Sequence, residues 1–179
     1  MLDKFIRVYI EIERGSNQKY EYNKETNTLE LDRVLPDSFV YPYAYGFIPG
    51  TLAKDGDELD VLLISDDEIK SNTYEYGYII GALIMEDEKG MDEKILMVPA
   101  DKYLDNAIED IFDMDLAVRN QLEWFFSNYK TGQPNKWSKV YGIFGKQDAV
   151  QLYWKYKIKN SSHLGLDRCK WYKYILLRS

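Results

Sequence analysis

Cysteine and histidine are nearly missing from this 179-residue chain, which has one of each, Cys169 and His163. A lone cysteine forms no internal disulfide, and one Cys with one His cannot assemble the usual four-ligand structural zinc site. Basic charge is short too: 23 Lys and Arg face 30 Asp and Glu, giving a net charge of −7 and a pI near 4.8. Such a chain lacks the basic face on which nucleic acid or an anionic membrane binds by counterion release. No apolar run is long enough to span a bilayer, the longest being Tyr78 to Met85. The amino terminus, MLDKFIRVYIEIE, alternates where a secretory signal would be continuously apolar, so the expected location is the cytoplasm. Neither a Walker loop nor a G-x-G-x-x-G run occurs. A bound phosphate would therefore be held by side chains and metal ions instead of a backbone cradle.

What is there is a chain with material for a core. Its 45% apolar and 15% aromatic content excludes disorder. A chain of this length buries roughly two-thirds of its unfolded surface, and one domain over 1–179 is expected. Three textures divide it: strands and turns over about 5–100, a mostly helical cover over about 101–160, and a basic, aromatic tail over 161–179. Alternation puts Ile6, Val8, Ile10 and Ile12 on one face of a first strand, with Arg7, Tyr9, Glu11 and Glu13 on the other. KYEY and LELDRV, joined by a KETN turn, read as the next two strands, with Lys19 and Glu21 on one face. Pro36, Pro42, Gly46, Pro49 and Gly50 predict an ordered but irregular loop from Pro36 to Gly50. Val61 to Ile64 and Tyr78 to Met85 read as buried strands, and Lys94 to Val98 pairs back across the acidic turn EDEKGMDE. Leu122, Phe125, Phe126 and Tyr129 mark an amphipathic helix between Asp115 and Lys130. A second helix runs from Asp148 to Lys159, after a strand near Val140. Short strands with helices predict an α+β fold, a small barrel under helical cover.

With thiolate and imidazole scarce, any metal must sit on oxygen, which favours hard cations such as Mg²⁺, Mn²⁺ or Ca²⁺. Two acidic clusters could supply it. In Asp55-Gly56-Asp57-Glu58-Leu59-Asp60 the carboxylates run straight into the apolar strand VLLI, so they sit at a strand mouth. An EF-hand is excluded, because Leu59 falls at the fifth position and the loop's glycine is misplaced. The second cluster, Glu86 to Lys94, also fits an ordinary charged hairpin tip. Among these acids, Lys19, Arg33, Lys94 and Lys130 could complex phosphate oxygens, with Tyr41, Tyr45 and Tyr129 adding neutral donors.

Taken together, IEIERGSNQKYEY, LDRV, VYPYAYGFIPGTL, DGDELDV, EDEKGMDEKI and FFSNYK followed by KW resemble the soluble family I inorganic pyrophosphatases, over roughly residues 5–142. The resemblance implies a mainly antiparallel five-stranded OB-like β-barrel with flanking helices. It also implies hydrolysis of inorganic pyrophosphate to two phosphates with several Mg²⁺ ions, for which Mn²⁺ or Zn²⁺ could substitute. Its metal ligands fall on Asp55, Asp60, Asp87 and Asp92, with Glu11 and Glu21 in the acidic shell, and Asp57 lies near the attacking water as general base. Its phosphate-binding positions fall on Lys19, Arg33, Tyr45, Lys94, Tyr129 and Lys130, with Tyr41 and Lys136 close by and Tyr45 also counted as catalytic. Glu13 stands where the family usually has proline, which would add a carboxylate beside Glu11. By the same resemblance the chain is a homo-oligomer, a hexamer more than a dimer, with no nucleic-acid or membrane partner. A non-catalytic pyrophosphate- or metal-binding relative and a phosphohydrolase acting on nucleotides are the alternatives.

Overall fold

A computed structural model describes residues 5–36, 38–106 and 108–158, and the tail at 161–179, with His163 and Cys169, lies outside them. The strands are β1 (Ile6–Ile12), β2 (Gln18–Asn23), β3 (Thr28–Val34), β4 (Ala44–Ile48), β5 (Leu59–Leu63), β6 (Thr73–Asp87), β7 (Gly90–Met91), β8 (Lys94–Pro99) and β9 (Ser138–Gly145). Helices α1 (Ala100–Asn106), α2 (Leu116–Asn128) and α3 (Lys146–Tyr156) and a 3-10 turn at Ile111–Asp113 complete the described elements. Five strands close on themselves in the order β1-β4-β5-β8-β6, because β6 pairs back to β1. Every pairing in the ring is antiparallel except β5 with β8. This is the α+β, mainly antiparallel five-stranded architecture expected. Strand β6 is its spine: its start pairs with β1, its middle with β8, and its end with β9 and β7. The hairpin β2–β3 forms a separate sheet.

Alternation along each strand divides the core into two clusters. Val8, Ile10, Ala44, Val61, Leu63, Ile95 and Met97 form the inner one, into which α3 inserts Ala149, Tyr153 and Tyr156. Leu62, Leu96 and Val98 belong to the outer one, where α2 packs Leu122, Phe125, Phe126 and Tyr129 against Tyr41 and Tyr45. Helix α3 thus caps the barrel's interior, while α2 covers an outer wall.

Two local expectations are corrected. The stretch from Pro36 to Gly50 is not all loop, since β4 occupies its centre. Pro42 and Pro49 flank the strand, where a missing N–H is tolerated. Gly46 is demanded by packing, because a Cβ there would lie 1.8 Å from the Tyr9 carbonyl oxygen. Glu13 does not join Glu11, because β1 ends at Ile12 after a register shift between Ile10 and Ile12. Its carboxylate instead accepts the Ser71 N–H at 3.1 Å, and the same shift moves Ile12 into the outer cluster. The helices begin and end near their expected bounds. Helix α3 starts two residues early, at Lys146, and stops at Tyr156, after which the chain is extended.

Candidate active site

Outward-facing positions of β4, β5 and β8 place Tyr45, Asp60 and Lys94 side by side, each next in sequence to an inner-core residue such as Ala44, Val61 or Ile95. The hairpin β2–β3 stands over them, and the end of α2 delivers Tyr129 and Lys130. Between these elements lies an open cleft of about 290 Å³. Its wall includes Glu11, Lys19, Glu21, Arg33, Tyr41, Tyr45, Asp55, Asp57, Asp60, Asp87, Asp92, Lys94, Tyr129, Lys130 and Lys136, so all the site positions expected from the sequence meet in one place. Glu13 is the exception. The lining also holds Lys24, Asp32, Glu58, Glu88 and Lys89, bringing the total to ten carboxylates and seven basic side chains. Glu88 was foreshadowed by its place in the acidic turn. Glu58 likewise lay in the first acidic cluster, whereas Lys24, which pairs with it at 2.6 Å, carried no local signal.

Two lysines organise these charges. Lys94, 1% exposed, donates to Asp60 and Asp92 at 2.7 Å each and to the Tyr45 hydroxyl at 3.3 Å. Burial alone would lower its pKa, but the carboxylates of Asp60 and Asp92 hold the ammonium well above the usual lysine value. Lys130, 6% exposed, donates to Asp87 at 2.6 Å and to Glu88 at 2.9 Å. Against the upward push of burial, hydrogen bonds from Lys136 and Lys130 bring Glu88 down to about 2. Tyr45 donates to Asp60 at 2.5 Å, and burial lifts its phenol well above 10, so it remains a neutral donor. Arg33 bonds Asp32 through Nη1 at 3.0 Å, while its buried Nε has no hydrogen-bond partner among the described residues. Lys19 pairs with Glu21 and, at 3.3 Å, with Asp32.

Some carboxylates are under-compensated. Burial pushes Glu11 up to about 8, against the hydrogen bond it accepts from the Tyr22 N–H and with a further push from Asp60. Burial likewise raises Asp92, opposed by Lys94. Asp55 and Asp57 are exposed on the 53–58 loop, where the Asp57 N–H bonds Asp55 Oδ1 at 3.2 Å and the Ala53 N–H bonds the Asp57 carbonyl at 2.7 Å. Among the described residues no three acids converge as a ready-made nest. That spread fits Mg²⁺, which keeps several waters and takes one or two carboxylates plus substrate oxygens. Excess negative charge and an all-oxygen donor set are the chemistry that hard cations select.

Comparison with known proteins gives the family of the chain. The family profile described as inorganic pyrophosphatase matches residues 8–159. The inorganic pyrophosphatase of Saccharolobus solfataricus is 45% identical over 139 residues, covering 76% of this chain and 81% of that protein. The Helicobacter pylori (strain J99) enzyme is 42% identical over 147 residues, covering 81% and 85%. Among solved structures, an inorganic pyrophosphatase from Helicobacter pylori superimposes with a TM-score of 0.82 at 40% identity, covering 86% of this chain and 91% of its own. That from Thermus thermophilus gives 0.79 at 39%, covering 84% and 87%. With a family profile spanning most of its length, relatives above 40% identity and a shared barrel, the chain belongs to the inorganic pyrophosphatase family of hydrolases.

Proposed function

We propose that this chain hydrolyses inorganic pyrophosphate to two phosphates by direct attack of water, with Mg²⁺ held by Asp55, Asp60, Asp87 and Asp92 and with Glu11 and Glu21 in support. The observation that carries this reading is the alternation of charge in one cleft, with two buried lysines each set between two acids. A polyanion repels its own attacker, so the site must cancel phosphoryl charge before reaction. When bound, Mg²⁺ draws charge from the phosphoryl oxygens and acidifies water, and Mn²⁺ shares that chemistry. The side chains do the rest. Asp57 takes the proton of the attacking water, from a loop whose backbone is fixed at Ala53 and Asp55. Lys19, Arg33, Lys94 and Lys130 receive the charge that builds on the departing phosphate, and Tyr45 and Tyr129 donate neutral hydrogen bonds to it. Phosphate release from pyrophosphate and from ATP, each with Mg²⁺, tests the reading. Release from pyrophosphate alone is expected, whereas equal release from ATP would favour a nucleotide hydrolase.

Metal choice follows. Ca²⁺ accepts more ligands at longer distances and acidifies water less than Mg²⁺. Titrating Ca²⁺ into the Mg²⁺ enzyme should abolish turnover, and a Ca²⁺ form as active as the Mg²⁺ form would contradict the assigned water activation. Arg33→Lys should lower kcat/KM by about 1 to 3 kcal/mol, since lysine keeps the charge but not the fork that leaves Nε free for a phosphate oxygen. Steady-state kinetics that match wild type would place Arg33 away from substrate. We also propose that the chain acts in the cytoplasm as a homo-oligomer, a hexamer before a dimer. Exposed aromatics such as Trp124, stacked on Phe39 at 5.4 Å, support a covered surface. A monomer in light scattering would end that proposal.

A further inference from the structure

The last turn of α3 plugs the barrel, yet it is also tied to two of the chain segments that bring acids to the cleft. On one side the Leu52 N–H donates to the Tyr156 carbonyl at 2.8 Å and the Ile158 N–H to the Gly50 carbonyl at 2.9 Å, with Thr51 paired to Lys157. The Thr51 hydroxyl donates to the Ile48 carbonyl at 2.6 Å and accepts the Leu59 N–H at 2.8 Å. Both feet of the 53–58 loop, which carries Asp55 and Asp57, are thereby fixed. On the other side the Tyr156 hydroxyl donates to Glu93 Oε1 at 3.1 Å, joining residues 63 positions apart. Glu93 lies between Asp92 and Lys94, but while those two face the cleft it turns toward the inner-core helix. Both Tyr156 and Glu93 are 7% exposed. Glu93 Oε2 is buried with no hydrogen-bond partner, and among the described residues no basic side chain pairs with this carboxylate. Burial, then the Glu93 carboxylate, push the Tyr156 phenol up to about 12.

A buried carboxylate is tolerated where its hydrogen bonds are, so the phenol decides where Glu93, and with it the chain on either side, comes to rest. We infer that Tyr156 is a positioning residue that sets the spacing between the Asp55–Asp57 loop and Asp92 from behind the cleft. Its backbone registers the loop and its hydroxyl, through Glu93, registers Asp92. This rests on the assignment of Asp55 and Asp92 as metal-holding residues made above.

Tyr156→Phe deletes the hydroxyl and keeps the ring in the core. Mn²⁺ binding to the full chain without pyrophosphate, followed by electron paramagnetic resonance, should weaken about 10-fold, the lower end for losing a support behind a metal ligand. In kinetics the half-saturating Mg²⁺ concentration should rise by a similar factor, while kcat at saturating Mg²⁺ is retained. In a Glu93→Leu background the same change should have no further effect on Mn²⁺ binding, because the hydroxyl then has nothing to hold. Wild-type Mn²⁺ affinity in Tyr156→Phe overturns the inference, as does a lowered melting temperature with unchanged affinity, or a full effect persisting in the Glu93→Leu background. If Glu93→Leu does not fold, the single Tyr156→Phe measurement decides. The Mn²⁺ readout needs no substrate, so its failure is separable from a failure to hydrolyse pyrophosphate.

Discussion

Asp57→Asn should lower kcat by roughly 10²-fold or more, the contribution of a well-placed general base. Asparagine keeps the shape of the side chain but cannot take a proton from water. The fold should be untouched, because Asp57 is exposed and it is its main chain that holds the loop, through Ala53 N–H at 2.7 Å and Asp55 Oδ1 at 3.2 Å. A thermal melt matching wild type, together with slow phosphate release at neutral pH and saturating Mg²⁺, is the expected pair of results. Turnover near the wild-type rate would remove Asp57 from the mechanism.

The second large effect falls on stability as well as rate. Lys94→Met fills a similar volume but withdraws the ammonium from between Asp60 and Asp92, both within 2.7 Å of it. Two carboxylates then share a partly buried space without their counter-charge. Breaking such a pair from one side costs about 3 to 5 kcal/mol. The loss should be largest in EDTA and smaller in Mg²⁺, since a bound cation restores part of the missing charge. Urea unfolding in the two buffers measures the difference. A loss below about 1 kcal/mol in EDTA, the range of an exposed pair, would mean that Lys94 is far better solvated than its 1% exposure implies.

The parts of the site that were legible in the sequence are those in which chemistry and local order coincide. Asp55 to Asp60 could be placed at a strand mouth because the acids run directly into an apolar strand. Lys94 could be placed in that neighbourhood because a hairpin-forming turn precedes it. Strand β4 was hidden because prolines on both sides of a five-residue strand overwhelm its own short apolar signal. Glu13 was misplaced because strict alternation assumes a regular strand, and a bulge is a tertiary event. The pairing of Lys24 with Glu58, and of Tyr156 with Glu93, joins residues distant along the chain. Periodicity encodes which face a residue takes, and it carries nothing about which partner waits there.

Closure of the ring through β6 has a consequence for the chain as it is made. Strand β1 leaves the ribosome before the other strands of the ring, yet one of its two neighbours, residues Thr73 to Gly77, follows more than sixty residues later. Strand β5 waits similarly for Lys94 to Met97 on its parallel side. Until those arrive, the nascent half-barrel carries two open edges of strongly apolar strands, the kind of edge that recruits strands from other chains. A chain that stalls before Thr73 therefore presents neighbouring copies with the same hydrogen-bonding rows that the finished protein keeps for itself.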